Sequence, residues 1–178
     1  MAAEPQLECI NFLQKRFGKE AKFSLVDEGL SDKKGELTLF ICEEADGLST
    51  FSDNWQEIFP GYQWNKKKIV PVTTLDDLIK KFGTPVFCKI DVEGYEIKVL
   101  KGLSKPIPCL SFEFAKKTLV KAKICLDYLE SLGYKQFNFH SGKPQELFFS
   151  NWVSKEEIIK RIESHENNNL VGDIYARL

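Results

Sequence analysis

Apolar positions recur at helical spacing along 5–17, at Leu7, Ile10, Leu13 and Phe17, with Pro5 suited to a first turn and Gly18 closing the pattern. The segment therefore predicts an amphipathic helix. Residues 22–26 predict a short strand, 29–35 a turn region and 36–41 a second strand. The stretch 42–63 has no period and mixes Gly, Ser, Pro and Asp with Phe51, Trp55, Phe59 and Tyr62, with Trp64 just beyond. An aromatic-rich loop of this kind either folds over a ligand or packs itself onto the body of the protein.

Residues 68–72 predict a strand, followed by a helix over 75–82. Thr74 is its cap, Asp76 and Asp77 favour the dipole in its first turn, and Gly83 then Pro85 close it. The apolar run 86–90 predicts a buried strand, and a helix follows through Glu96, Val99 and Leu100 to Gly102. Residues 107–114 predict a strand. A helix over 116–132 carries Leu119, Ala122, Leu126 and Leu129 on one face and ends at Gly133. Strands over 134–139, 145–149 and 170–177 surround a helix over 154–162, whose Ser154 and Glu157 have capping-box spacing. Strands alternating with helices predict an α/β fold: a three-layer sandwich on a mainly parallel sheet, with an antiparallel edge from the closing strands. Nothing in the pattern marks a linker or repeat, so residues 1–178 read as a single domain.

Composition narrows the function classes. The 178 residues carry 25 basic and 26 acidic side chains, a formal net charge of -1. A nucleic-acid surface calls for a basic excess, so the chain is not expected to bind nucleic acid. No apolar run approaches the roughly 20 residues that span a bilayer, so no membrane partner is expected. Cys9, Cys42, Cys88, Cys109 and Cys125 match no zinc spacing. Their odd number and the plain amino terminus predict a cytoplasmic protein with free thiols.

In an open α/β sheet, ligands sit beyond the carboxyl ends of the strands. Three carboxylates fall at such ends: Glu4, Asp91 and Glu113. Glu4 suits either a ribose, whose two hydroxyls it can accept, or simply the dipole of the helix after it. Asp91-Val92-Glu93-Gly94 is the more informative run, because Lys89 interrupts an apolar strand beside it and Gly94 permits a tight strand-to-helix turn. Asp91, Glu93, Glu96 and Glu113 together can orient a hydroxyl, take its proton, or hold a divalent cation. Glu96 reads as serving its own helix. His165 reads as solvated, and His140, after a strand, reads as a turn residue with a base as the alternative.

Two segments, Val70-Pro71-Val72-Thr73-Thr74-Leu75-Asp76-Asp77-Leu78-Ile79 and Phe87-Cys88-Lys89-Ile90-Asp91-Val92-Glu93-Gly94-Tyr95-Glu96, resemble the signature of FkbM methyltransferases. Val99-Leu100-Lys101-Gly102 continues that signature. Ala3-Glu4-Pro5 resembles the end of the family's second strand, Leu110-Ser111-Phe112-Glu113-Phe114 its fifth, and Gly172-Asp173-Ile174-Tyr175-Ala176 its closing strand. The resemblance implies a Rossmann-like class I fold, S-adenosylmethionine as cofactor, and methyl transfer to the hydroxyl oxygen of a small-molecule or sugar-like acceptor. It places Glu4 on the ribose, Gly29 and Leu30 near the adenine, and Asp91 beside the methionine part and the acceptor. Asp91 and Glu113 are the expected catalytic pair; Ser49, Thr50, Ser52 and Glu93 are expected on the acceptor side, with no resident metal. The family's first strand and glycine-rich loop find no counterpart before Glu4. The expectation is accordingly an N-terminally truncated domain in which strand 86–90 lacks a neighbour on one side. A non-catalytic binding module of the same fold is the alternative, and a metal-dependent hydrolase built on Asp91, Glu93 and Glu113 a third.

Overall fold

The structure is a computed structural model and describes residues 1–53, 61–141 and 146–178, without the Asp46 side chain. Trp55, Phe59 and Gln145 lie outside the described residues. In chain order the elements are β1 (Ala2–Ala3), α1 (Leu7–Phe17), β2 (Leu25–Val26), β3 (Gly29–Leu30), β4 (Gly35–Ile41) and a 3-10 turn at Asp46–Leu48. Then follow β5 (Lys66–Thr73), α2 (Leu75–Phe82), β6 (Cys88–Ile90), α3 (Glu96–Leu100) and β7 (Cys109–Ala115). A 3-10 turn at Lys116–Thr118 leads into α4 (Leu119–Ser131), β8 (Gln136–His140), α5 (Lys155–Glu163) and β9 (Val171–Arg177).

The helices form where local chemistry favours them. The Thr74 hydroxyl accepts the Asp77 N–H at 3.1 Å at the start of α2, and Gly83 ends that helix at φ +89°. Ser154 caps α5 in the same way, accepting the Glu157 N–H at 3.3 Å. The apolar face of α4 buries Ala122, Cys125, Leu126 and Leu129 against the sheet, and burial pushes the Cys125 thiol well above its ordinary value. The stripe on α1 behaves otherwise. Leu7 and Phe12 are more than half exposed and no residue of the helix is fully buried, because only the short β1–β2 pair lies beside it.

The mainly parallel sheet is a correction: among the described residues the strands form three separate sheets, one parallel pair and two of mixed direction. β1 runs parallel to β2; β3 runs parallel to β5, which pairs antiparallel with β4. The largest sheet has the order β6-β7-β9-β8, with β6 parallel to β7 and the other pairs antiparallel, so the antiparallel closing edge is present. The parallel contacts are short and the antiparallel ladders long. The expected buried strand at 86–90 is a three-residue edge strand, β6, joined on one side to β7. On its other side lies an apolar groove of about 710 Å³ lined by Ala2, Ala3, Leu78, Phe82, Phe87 and Ile90 among others, and Val86 is 81% exposed. Residues 146–149 form no strand; the Phe148 N–H donates to the Phe139 carbonyl at 2.7 Å and the two rings stack at 4.5 Å.

The main core lies on one face of the large sheet. Leu110, Phe112, Ile174, Phe137 and Phe139 are fully buried there against α4 and α5. Tyr134 anchors the edge of this core from inside. Its hydroxyl donates to the Ile107 carbonyl at 2.8 Å and accepts the Ile107 N–H at 2.9 Å. Tyr134→Phe leaves both buried backbone groups unpaired, which costs about 2–3 kcal/mol. Thermal unfolding should report a fall in Tm of about 5–10 °C for this variant, and an unchanged Tm would refute the account.

Candidate functional site

The carboxyl ends of β1, β3 and β6 converge on a cleft of about 300 Å³. Glu4 follows β1 and lines it, as do Gly29 and Leu30 of β3 and Asp91, which follows β6. The Glu4 carboxylate accepts the Gln6 N–H at 2.8 Å, which orients it at the start of α1. A side chain at Gly29 would meet the Phe51 ring at 2.6 Å, so the close approach of strand to ring requires glycine. Phe51 in turn lies 5.6 Å from the Tyr95 ring.

Loop and strand-end turn are tied together. Glu93 adopts φ +50° and Gly94 φ +86°, a left-handed pair in which Glu93 is strained. Two hydrogen bonds hold it. The Thr50 hydroxyl donates to the Glu93 carbonyl at 2.6 Å, and the Gly94 N–H donates to the Glu96 carboxylate at 2.9 Å. Glu96 thereby braces the turn that precedes its helix, and burial raises its pKa.

The loop residues divide. Ser49 and Thr50 line the cleft, but the Ser49 hydroxyl accepts the Cys42 N–H at 3.2 Å and Thr50 is 1% exposed. Ser52 is outside the lining, and its N–H donates to the Thr50 hydroxyl at 2.9 Å. Trp64 is buried and its indole N–H donates to the Leu48 carbonyl at 2.8 Å, so this aromatic packs the loop onto the body.

A second cavity of about 200 Å³ lies beside the first and shares Glu93 with it. Glu96, Glu113, Lys121 and Cys125 are among its other lining residues. One carboxylate oxygen each of Asp91, Glu93 and Glu113 falls within 4.8 Å of the other two, across the junction of the cavities. The trio is able to take a divalent cation, although such acidic groups commonly stand without one. The Glu113 carboxyl is strongly perturbed. Burial raises it from an ordinary 4.5 to about 7, assisted by the charges of Asp91, Glu96 and Asp173 and opposed by Lys89.

Three residues that sequence reasoning left aside also gather at this strand end. Lys89 extends its ammonium to Asp91 and Asp173, at 3.2 Å from each. Burial pulls the Lys89 pKa down, but the two carboxylates outweigh it and hold the group above its usual value. His140 is the last residue of β8 rather than a turn residue, and its Nε2 lies 3.0 Å from Asp173. The signal was present: Gln136, Asn138 and His140 alternate with Phe137 and Phe139, which puts His140 on a strand's polar face.

Carboxylates that follow β1 and β6 thus meet at one cleft of an α/β protein, the position where open α/β sheets hold ligands. Residues 2–136 match the family model of the methyltransferase FkbM domain, and the chain belongs to that family. No curated protein and no solved structure matches the chain. No helix among the described residues is long and apolar enough to cross a membrane.

The Glu113 shift has a measurable consequence. Its folded-state pKa of about 7 exceeds the ordinary 4.5, so between these values the folded state binds the proton more tightly. The resulting stability is full below about pH 4.5 and is lost as pH rises through about 7. Urea unfolding from pH 4.5 to 8 should show wild type losing about 2 kcal/mol relative to Glu113→Gln, after discounting for partial exposure. Parallel curves for the two proteins would contradict the shift.

Proposed function

We propose that the protein is an S-adenosylmethionine-dependent methyltransferase of Rossmann-like class I architecture, a single domain acting in the cytoplasm. It transfers the methyl group to a hydroxyl oxygen of a small-molecule or sugar-like acceptor and involves neither nucleic acid nor a membrane. One observation carries this reading: Glu4 and Asp91, from two different strand ends, line the same cleft of about 300 Å³, and Glu113 stands at its junction with a second cavity.

The residues fit the cofactor. Glu4 supplies the acceptor oxygens that two ribose hydroxyls need, and its bond from Gln6 fixes it for that task. Leu30 and the side-chain-free Gly29 offer an apolar wall for an adenine. Asp91 carries negative charge where an ammonium group would lie. When bound, S-adenosylmethionine supplies an activated methyl group on a sulfonium centre. The protein's own part is orientation and proton transfer. The acceptor enters the cavity of about 200 Å³, Glu93 positions its hydroxyl from the shared wall, and Glu113 takes the hydroxyl proton. A carboxyl raised to about 7 is suited to that exchange near neutral pH, so the rate should rise as pH passes through about 7. Ser49, Thr50 and Ser52 shape the acceptor side by holding the loop.

A non-catalytic binding module of the same fold is the second reading. It is favoured by the one-sided pairing of β6, which leaves Asp91 43% exposed. Isothermal titration with S-adenosylmethionine separates the two. The methyltransferase reading expects saturable heat with wild type and an affinity at least tenfold weaker, about 1.4 kcal/mol, for both Asp91→Asn and Glu4→Gln. A folded protein that releases no heat with S-adenosylmethionine sinks it.

A further inference from the structure

β6, whose carboxyl end borders the cleft, is three residues long and is paired, among the described residues, with β7 alone. Asp91 follows it with a side chain 43% exposed. Left to itself, such a carboxylate samples several rotamers. Its partner Lys89 is a flexible side chain 48% exposed, and an isolated pair of that kind contributes about 0–1 kcal/mol. The difference lies at the other end of Lys89. Its ammonium also meets Asp173, whose side chain is 9% exposed and whose same oxygen faces His140 at 3.0 Å.

The strand register explains why this works as a brace. Glu113, Asp173 and His140 are direct partners across β7, β9 and β8, so their side chains share one face of the sheet. Lys89, Ser111 and Tyr175 form the neighbouring row on that face. Asp173 and His140 sit on the long antiparallel ladders of the sheet. The chain of contacts His140–Asp173–Lys89–Asp91 therefore runs from these ladders to the short edge strand. Stability alone does not account for it. A buried carboxylate costs more than a well-packed apolar residue, and here Asp173 Oδ1 and Ser111 Oγ are both buried without a hydrogen-bond partner.

Resting on the methyltransferase reading above, we propose that Asp173 and His140 are positioning residues that hold Lys89, and through it the Asp91 carboxylate, in the orientation the cofactor meets. Neither need touch the cofactor or acceptor.

The test uses the full chain and two independent readouts. Backbone amide NMR shifts at Asp91 and Val92 report the orientation without cofactor, and titration with S-adenosylmethionine reports its use. Asp173→Asn and Lys89→Met should each displace the Asp91 and Val92 resonances and weaken S-adenosylmethionine binding by about tenfold, with the double variant no worse than either single one. His140→Gln, which keeps a donor, should stay near wild type, whereas His140→Phe should follow Asp173→Asn. If Asp173→Asn fails to fold, Lys89→Met and the two His140 variants decide the matter alone. Unchanged Asp91 and Val92 resonances in Lys89→Met, additive losses in the double variant, or His140→Phe behaving as wild type would each overturn the proposal. Wild type that binds no S-adenosylmethionine would defeat the methyltransferase reading, while the NMR shifts would still decide whether Asp173 and His140 position Asp91.

Discussion

The period-two alternation of β7 is the constraint on which the molecule depends. Leu110, Phe112 and Phe114 point into the main core, and Ser111 and Glu113 point to the opposite, polar face. β7 is also the strand through which β6 is joined to β9 and β8. A slip of one residue would turn Glu113 into the core and Phe112 toward the carboxylates. Core packing and the chemistry of the cleft are thus set by the same register, and the hydrophobic burial on one face fixes the geometry on the other.

The polar face collects charge because the strand ends coincide there. Asp91, Glu113 and Asp173 come from three adjacent strands, and Lys89 is the cation set among them. One lysine does not neutralise three carboxylates. Glu113 stands outside the two Lys89 pairs, and burial first, then the neighbouring negative charges, raises its proton affinity. In the proposed mechanism, the same burial and crowding would suit Glu113 to act as a base near neutral pH.

Local features were legible in the sequence. The Thr74 cap and its helix, the apolar face of α4, and the placement of Glu4 and Asp91 at strand ends follow from spacing and residue type alone. Features that depend on pairing between distant segments were not. Val86 and Phe87 have strand-like composition, yet they stand at an open edge, because burial requires a neighbour and local pattern does not say whether one exists. Asp173 and His140 are separated in sequence and meet only through the β8–β9 register. The family resemblance placed Thr50 on the acceptor side. Its hydroxyl donates to the Glu93 carbonyl and accepts the Ser52 N–H, bonds visible only in three dimensions.

Those two loop residues, Thr50 and Phe51, have a consequence for how the protein can change. Thr50 grips the carbonyl of Glu93, and Phe51 lies between Gly29 and the Tyr95 ring. Neighbours in sequence, they clasp both sides of the turn that carries the cleft's carboxylates. Substitutions around this turn are not independent of one another. Those at Thr50, Phe51, Gly29 or Tyr95 are epistatic, since each alters the space or the bond another relies on. A lineage exploring new ligands would therefore diversify around this clasp and leave the clasp itself alone.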